Sequence, residues 1–112
     1  MKKLNVIYNH NIFEEPYNQV EVKKTASRIT EQFGEVELFV THTNFASPNP
    51  FFYDLDLIMV EHTFEMTSEE KKALASILNL SVTKLKRCEP IDVVVSFRKI
   101  EEDDLYFFEA KK

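Results

Sequence analysis

The feature that most constrains the fold is the order of apolar patterns, because strand, helix and strand follow one another twice along the chain. The first strand, about residues 2–8, places Leu4, Val6 and Tyr8 on one face. A helix follows, and the next strand, residues 36–45, alternates with a period of two. A second unit of the same kind starts at residue 53 with a strand that is apolar on both faces, and such a strand should be central. The duplication predicts one α+β domain made of two βαβ units, with both helices on one face of a four-stranded sheet.

Local signals set the limits of the two helices. The only glycine, Gly34, lies just past a stripe of apolar residues and can adopt the left-handed conformation that ends a helix. Thr67 and Glu70 have the spacing of a capping box, which predicts the start of the second helix. Pro90 should end that helix, because the residue before a proline avoids helical geometry. The two apolar stripes consist of Val22, Ala26, Ile29 and Phe33, and of Leu74, Ile77, Leu78, Val82 and Leu85.

The end of the chain reads as a fourth strand (residues 91–100), an acidic turn (101–104) and a short aromatic strand (105–110). Leu105 and Phe107 should face one way, and Tyr106 and Phe108 the other. A terminal strand that is apolar on both faces would leave an adhesive edge on a monomer, so we expect these four residues to lie in a subunit interface. The simpler alternative is that the tail folds back onto its own core.

This order of elements fits two architectures. One is a ferredoxin-like sandwich of four antiparallel strands. The other places two βαβ units, each with parallel strands, side by side and leaves its edges for neighbouring subunits. Periodicity alone does not separate them, because both have the same order of elements and the same apolar spacing.

Composition excludes several classes of protein. The 112 residues are enough for one domain, and 44% hydrophobic with 29% charged residues is typical of a soluble globular chain. The net charge is −5 and the basic residues are scattered, which is unlike a nucleic-acid-binding surface. One glycine excludes a glycine-rich phosphate loop, and no apolar run approaches the ~20 residues of a membrane span. The single cysteine, Cys88, cannot form an internal disulfide, so we expect a reducing compartment, the cytoplasm. We also expect no cofactor.

The histidines are candidates for a metal site or a pocket. His10, His42 and His62 lack the close spacing of metal ligands, so we expect no metal and half-exposed histidines with ordinary hydrogen bonds. A ligand pocket is a second possibility, with polar groups beside an aromatic rim. In the simpler interpretation the same side chains pack against the core or a neighbouring subunit. The pocket candidates are His42, Asn44, Phe51, Phe52, Tyr53 and His62.

The residues from 36 to 112 resemble an uncharacterised bacterial family of the tautomerase (macrophage migration inhibitory factor-like) superfamily. The resemblance rests on an aromatic-led strand, a capped helix, a closing D-V-x-V-x-F strand, an acidic turn and an aromatic tail. It implies a homotrimer in which strands of one subunit extend the sheet of the next. The residues that carry the pattern are Tyr53, Leu57, Met59, His62, Phe64, Asp92, Val94, Phe97 and Tyr106.

The start of the chain departs from the catalytic members of that superfamily, in which removal of the first methionine exposes a proline amine that acts as the base. Here Lys2 stands in that position, and methionine is removed only ahead of small residues, so Met1 should remain. Its amine has an ordinary pKa of about 7.7–8.0, is mostly protonated at neutral pH and lies on a flexible residue. We therefore expect no proline-type tautomerase activity. The alternatives are a tautomerase for small keto–enol acids that uses the Met1 amine or Lys2, and a ferredoxin-like module that binds a small ligand.

Overall fold

The computed structural model describes residues 2–10, 19–44, 55–86, 92–106 and 108. Strand, helix and strand follow one another twice, as the sequence predicts. A short 3₁₀ turn at Glu102–Asp104 follows the last strand. The elements are β1 (Lys3–His10), α1 (Gln19–Phe33), β2 (Glu37–Asn44), β3 (Leu55–His62), α2 (Ser68–Lys86) and β4 (Asp92–Lys99).

The strands form one mixed sheet in the order β2-β1-β3-β4. β1 runs parallel to β2, and β3 runs parallel to β4, as each crossover helix requires. The two units join through the antiparallel pair of β1 and β3. Four antiparallel strands are therefore excluded, and with them the ferredoxin-like alternative. The central position predicted for β3 is confirmed.

The helix limits follow the local signals. The Gly34 N–H donates to the Thr30 carbonyl at 2.8 Å and Gly34 has a φ of 80°, so it ends α1 in the left-handed region. At the start of α2 the Thr67 N–H donates to the Glu70 carboxylate (2.9 Å) and the Glu70 N–H donates to the Thr67 hydroxyl (3.1 Å). This reciprocal pair is the predicted capping box. The expected stop before Pro90 lies outside the described residues.

Both helices cover the same face of the sheet, as predicted. The core residues alternate along each strand, because every second side chain points to that face. The opposite face, here called the helix-free face, is partly apolar: Met59 is 38% exposed and Val94 is 45% exposed. The core is formed by Leu4, Val6, Tyr8, Ile29, Phe33, Ile58, Val60, Met66, Leu74 and Leu78.

The C-terminal segment differs from the expected strand. Leu105 has extended backbone angles (φ −136°, ψ 109°), but Leu105, Tyr106 and Phe108 pair with no strand of the described sheet. An extended segment becomes a strand only when a second strand shares hydrogen bonds with it, and the described strands supply none to these residues. Phe107 lies outside the described residues. In the described part of the chain, neither helix is both long and apolar enough to cross a membrane.

Candidate functional site

The backbone at the start of β1 is held from two sides. The Lys2 carbonyl accepts from the Glu37 N–H at 2.9 Å, on the side of β2. On the side of β3, the Lys3 N–H donates to the Thr63 hydroxyl (3.0 Å) and the Lys3 carbonyl accepts from the Thr63 N–H (3.2 Å). We call these four residues, Lys2, Lys3, Glu37 and Thr63, the N-terminal platform. The expectation that the terminal amine lies on a flexible residue concerns Met1, which lies outside the described residues.

The Lys2 side chain contacts the end of α1 and the connection between β3 and α2. Its ammonium donates to the carbonyl of Phe33, the last residue of α1, at 3.4 Å, and lies 5.2 Å from the centre of the Phe64 ring. A cation is stabilised both at the C-terminal end of a helix and over an aromatic face. Glu70 at the start of α2 adds an electrostatic attraction. Lys2 therefore links the end of α1 to the β3–α2 connection.

His62, one of the predicted pocket residues, is buried, with 2% exposure. Its Nδ1 lies 2.7 Å from the Phe64 carbonyl, and because a carbonyl only accepts, Nδ1 carries a hydrogen. The rings of Phe64 and Phe97 meet it edge to face, with centroids 6.1 and 6.3 Å away. Its Nε2 is buried and has no hydrogen-bond partner among the residues that the structure describes. The hydrogen bond confirms the expected one, but the half-exposed position was wrong, because His62 lies on the core face while Glu61 takes the other face.

Exposed charges surround this end of the sheet. Lys99 and Glu65 form an ion pair of 2.7 Å, which lowers the pKa of Glu65 and raises the pKa of Lys99. The hydrogen bonds of the capping box lower the pKa of Glu70. Within the described residues, no group of three or more His, Cys, Asp and Glu side chains could hold a metal ion.

A polar pair and a small cavity lie at the other end of the core. The Tyr8 hydroxyl donates to the Ser81 hydroxyl at 3.3 Å, and burial raises the pKa of Tyr8. Beside them a cavity of about 10 Å³ lies between the sheet and both helices, close to the lower limit for one water molecule. Thr25 is among its lining residues. This cavity is too small for a substrate.

The predicted pocket residues do not all lie together. His62 is level with Leu4 on β1, whereas His42 is level with Tyr8, four residues further along. At roughly 3.3 Å per residue this separates the two backbones by about 13 Å along the sheet, with β1 between them. Asn44 lies beyond His42, level with His10. The rim residues Phe51, Phe52 and Tyr53 lie outside the described residues.

The C-terminal aromatic segment begins next to the N-terminal platform. The Lys3 ammonium donates to the carbonyls of Leu105 (3.0 Å) and Glu102 (3.4 Å). Beyond this anchor Tyr106 is 67% exposed and Phe108 is 85% exposed, and their rings contact only loosely, with centroids 6.2 Å apart. The tail therefore begins on the sheet end and presents its described aromatic rings to solvent.

Sequence reasoning missed two sets of contacts. Ser81 falls within the apolar stripe of α2, and a polar residue there is a signal that it meets a buried polar partner. The contacts of Lys2 and Lys3 had no comparable signal in the sequence. The acceptors of their side-chain hydrogen bonds are backbone carbonyl groups, which every residue has.

The comparisons with known proteins concern the fold. No protein-family model and no curated protein sequence matches the chain. Solved structures do match: a macrophage migration inhibitory factor of Toxoplasma gondii gives a TM-score of 0.68 at 10% identity, covering 96% of this chain and 97% of the other. The chain has the tautomerase fold.

Two further structures of this fold support that assignment. A fused 4-OT described as a symmetric trimer has a TM-score of 0.64 at 20% identity, covering 92% of this chain and 89% of that one. A malonate semialdehyde decarboxylase has a TM-score of 0.58 at 12% identity, covering 95% and 92%. The resemblance that the sequence suggested is thus confirmed at the level of the superfamily fold.

Proposed function

We propose that this tautomerase-fold protein assembles as a homotrimer and lacks proline-type tautomerase activity. The observation that carries the second part is the state of Lys2. It occupies the position of the catalytic proline, and its ammonium is engaged by the Phe33 carbonyl and the Phe64 ring. A base must be free to reach a substrate, and the contacts of the Lys2 side chain with a carbonyl and an aromatic face compete with that role.

The proposed assembly is supported by the apolar surface that the single chain leaves uncovered. On the helix-free face the apolar side chains lie beside one another, since Ile7 pairs with Met59 and Leu57 pairs with Val94. Tyr106 and Phe108 add two exposed aromatic rings. Contiguous exposed apolar surface of this kind is typical of an interface. Two of the matching structures are described as trimers, one symmetric and one asymmetric.

A second candidate function is a tautomerase for small keto–enol acids that uses the amine of Met1. It is favoured by the hydrogen bonds of the N-terminal platform, which fix the backbone of the adjacent residue. A fixed position is one of the two requirements for a general base.

One assay separates the two functions. The purified protein is incubated with phenylpyruvate, and its ketonisation is followed by ultraviolet absorbance. We expect no turnover above the buffer rate. The matched variant is Lys2→Pro, in which methionine removal exposes a proline. It tests whether the base is the only part of the catalytic site that is missing. Turnover by the unaltered chain that disappears when its N-terminal amine is acetylated would establish the second function. Light scattering at micromolar concentration tests the assembly, and a clean monomer would refute it.

A further inference from the structure

The two edges of the sheet carry opposite charges at the same end of the molecule. Glu37 lies at the start of the edge strand β2, and Arg98 lies near the end of the edge strand β4. Both side chains are exposed, and in the described structure neither the Glu37 carboxylate nor the Arg98 guanidinium has an ion pair or hydrogen bond. We propose that these two residues pair between copies of the chain, so that β2 of one copy docks beside β4 of the next and the association runs head to tail.

Strand register places both charges on one surface. Leu38 and Phe97 pack against the core, so Glu37 and Arg98, one residue away, point to the helix-free face. Phe39, Asn5, Glu61 and Arg98 are level across the four strands. Glu37 is two residues from this row, roughly 7 Å along β2. If the sheet continues from β4 of one copy to β2 of the next, the Glu37 and Arg98 side chains lie close enough to form an ion pair.

Strand direction then selects the type of interface. β2 and β4 run in opposite directions, so a ring of identically oriented copies places the start of β2 beside the end of β4, where the charges meet. A two-fold pairing of β2 with another β2 is antiparallel and would place Glu37 opposite the far end of its copy, around Thr43 and Asn44. Neither Thr43 nor Asn44 carries a positive charge. The charges thus favour a closed ring over a two-fold dimer.

Three charged residues near Glu37 and Arg98 already have contacts within the described chain. Lys99, next to Arg98, is already paired with Glu65 within its own chain. Glu61, which is level with Arg98 on β3, accepts from the Asn5 amide at 2.9 Å. The Lys3 ammonium, which is level with Glu37, is engaged by the Leu105 and Glu102 carbonyls. These three neighbouring charges have contacts within their own chain, whereas Glu37 and Arg98 have none among the described residues.

Charge reversal tests this pairing, which rests on the proposed trimer. We expect Glu37→Lys and Arg98→Glu each to raise the concentration at which the assembly dissociates by roughly tenfold or more, since like charges then face each other. The chain that carries both substitutions should regain the assembly of the unaltered protein. Glu31→Lys and Lys72→Glu make the same charge changes on exposed helix positions and should have no effect. Sedimentation velocity measures the unaltered chain and the five variants, and circular dichroism confirms that each is folded.

Two further results complete the test. Raising NaCl from about 0.05 M to about 0.5 M should weaken the assembly of the unaltered chain, because salt screens exposed charges; this measurement needs no variant. The pairing would be overturned if the trimer withstood both single reversals. It would also be overturned if the single reversals weakened the assembly and the double reversal did not restore it. In both cases the proposed trimer itself would stand. An unaltered chain that is monomeric would overturn the proposed trimer itself.

Discussion

The buried hydroxyl pair of Tyr8 and Ser81 gives a prediction that can be worked in detail. The two side chains are 2% and 1% exposed, and their oxygens are 3.3 Å apart. This distance is longer than the ~2.7–2.8 Å of a strong hydroxyl bond, so we expect a net contribution near 0.5–1 kcal/mol. Tyr8→Phe removes the donor and leaves the Ser81 hydroxyl buried without it, which should lower the free energy of unfolding by about 1–2 kcal/mol.

The assay is a double-mutant cycle at neutral pH and one fixed protein concentration, because assembly makes stability depend on concentration. Tyr8→Phe, Ser81→Ala and the double variant are unfolded in urea, and circular dichroism follows the loss of helix. The double variant should be more stable than the sum of the two losses predicts, by about 0.5–1 kcal/mol. Strictly additive losses would show that the two hydroxyls do not interact and would refute the reasoning.

The same pair predicts a response to alkaline pH. Burial raises the pKa of the folded Tyr8 above its ordinary value of about 10, so the unfolded chain ionises first. The contribution of Tyr8 is therefore complete below about pH 10 and is lost as the pH rises from there through the raised pKa, by at most about 1.4 kcal/mol per pH unit. Tyr8→Phe should lack this loss. Parallel decline of the two proteins above pH 10 would contradict it.

Three further predictions concern the scaffold. Leu74→Ala empties a fully buried site and should cost about 2–5 kcal/mol in urea unfolding, whereas the same change at Leu80, 42% exposed, should cost under about 0.5 kcal/mol; equal losses would contradict the assigned core. Gly34→Ala should cost about 1 kcal/mol through its φ of 80° alone, since an added Cβ meets no atom within 4 Å, and Gly34→Asn should cost less; no loss in thermal unfolding would refute the left-handed cap. Thr67→Ala removes the α2 cap and should cost about 1 kcal/mol, while Ser68→Ala, outside the capping box, serves as the control and should be near neutral.

Local rules carried the sequence interpretation a long way. The stop at Gly34, the capping box of Thr67 and Glu70, and the alternation of Leu4, Val6 and Tyr8 each depend on residues near one another in the chain. For the same reason the order of elements was predictable. Contacts that depend on the tertiary structure were harder to predict. Nothing near His62 in the sequence indicates that the rings of Phe64 and Phe97 pack against it, and it proved buried.

The candidate site shows the same division. The residue types and the substitution of Lys2 for a catalytic proline could be read directly from the sequence. Which residues lie at which end of the sheet could not, and the register separated His62 from His42 although both were candidates for one pocket.

Taken alone, the sequence determined the periodicities, the end of α1, the start of α2 and the absence of the proline base, because these are properties of neighbouring residues. Only the tertiary structure decided that the strands within each unit are parallel, that Lys2 contacts Phe33 and Phe64, and that Glu37 and Arg98, without a partner among the described residues, lie at the same end of opposite edges. Strand direction and register are set by contacts between residues distant in the chain, and those contacts leave no periodic trace in the sequence.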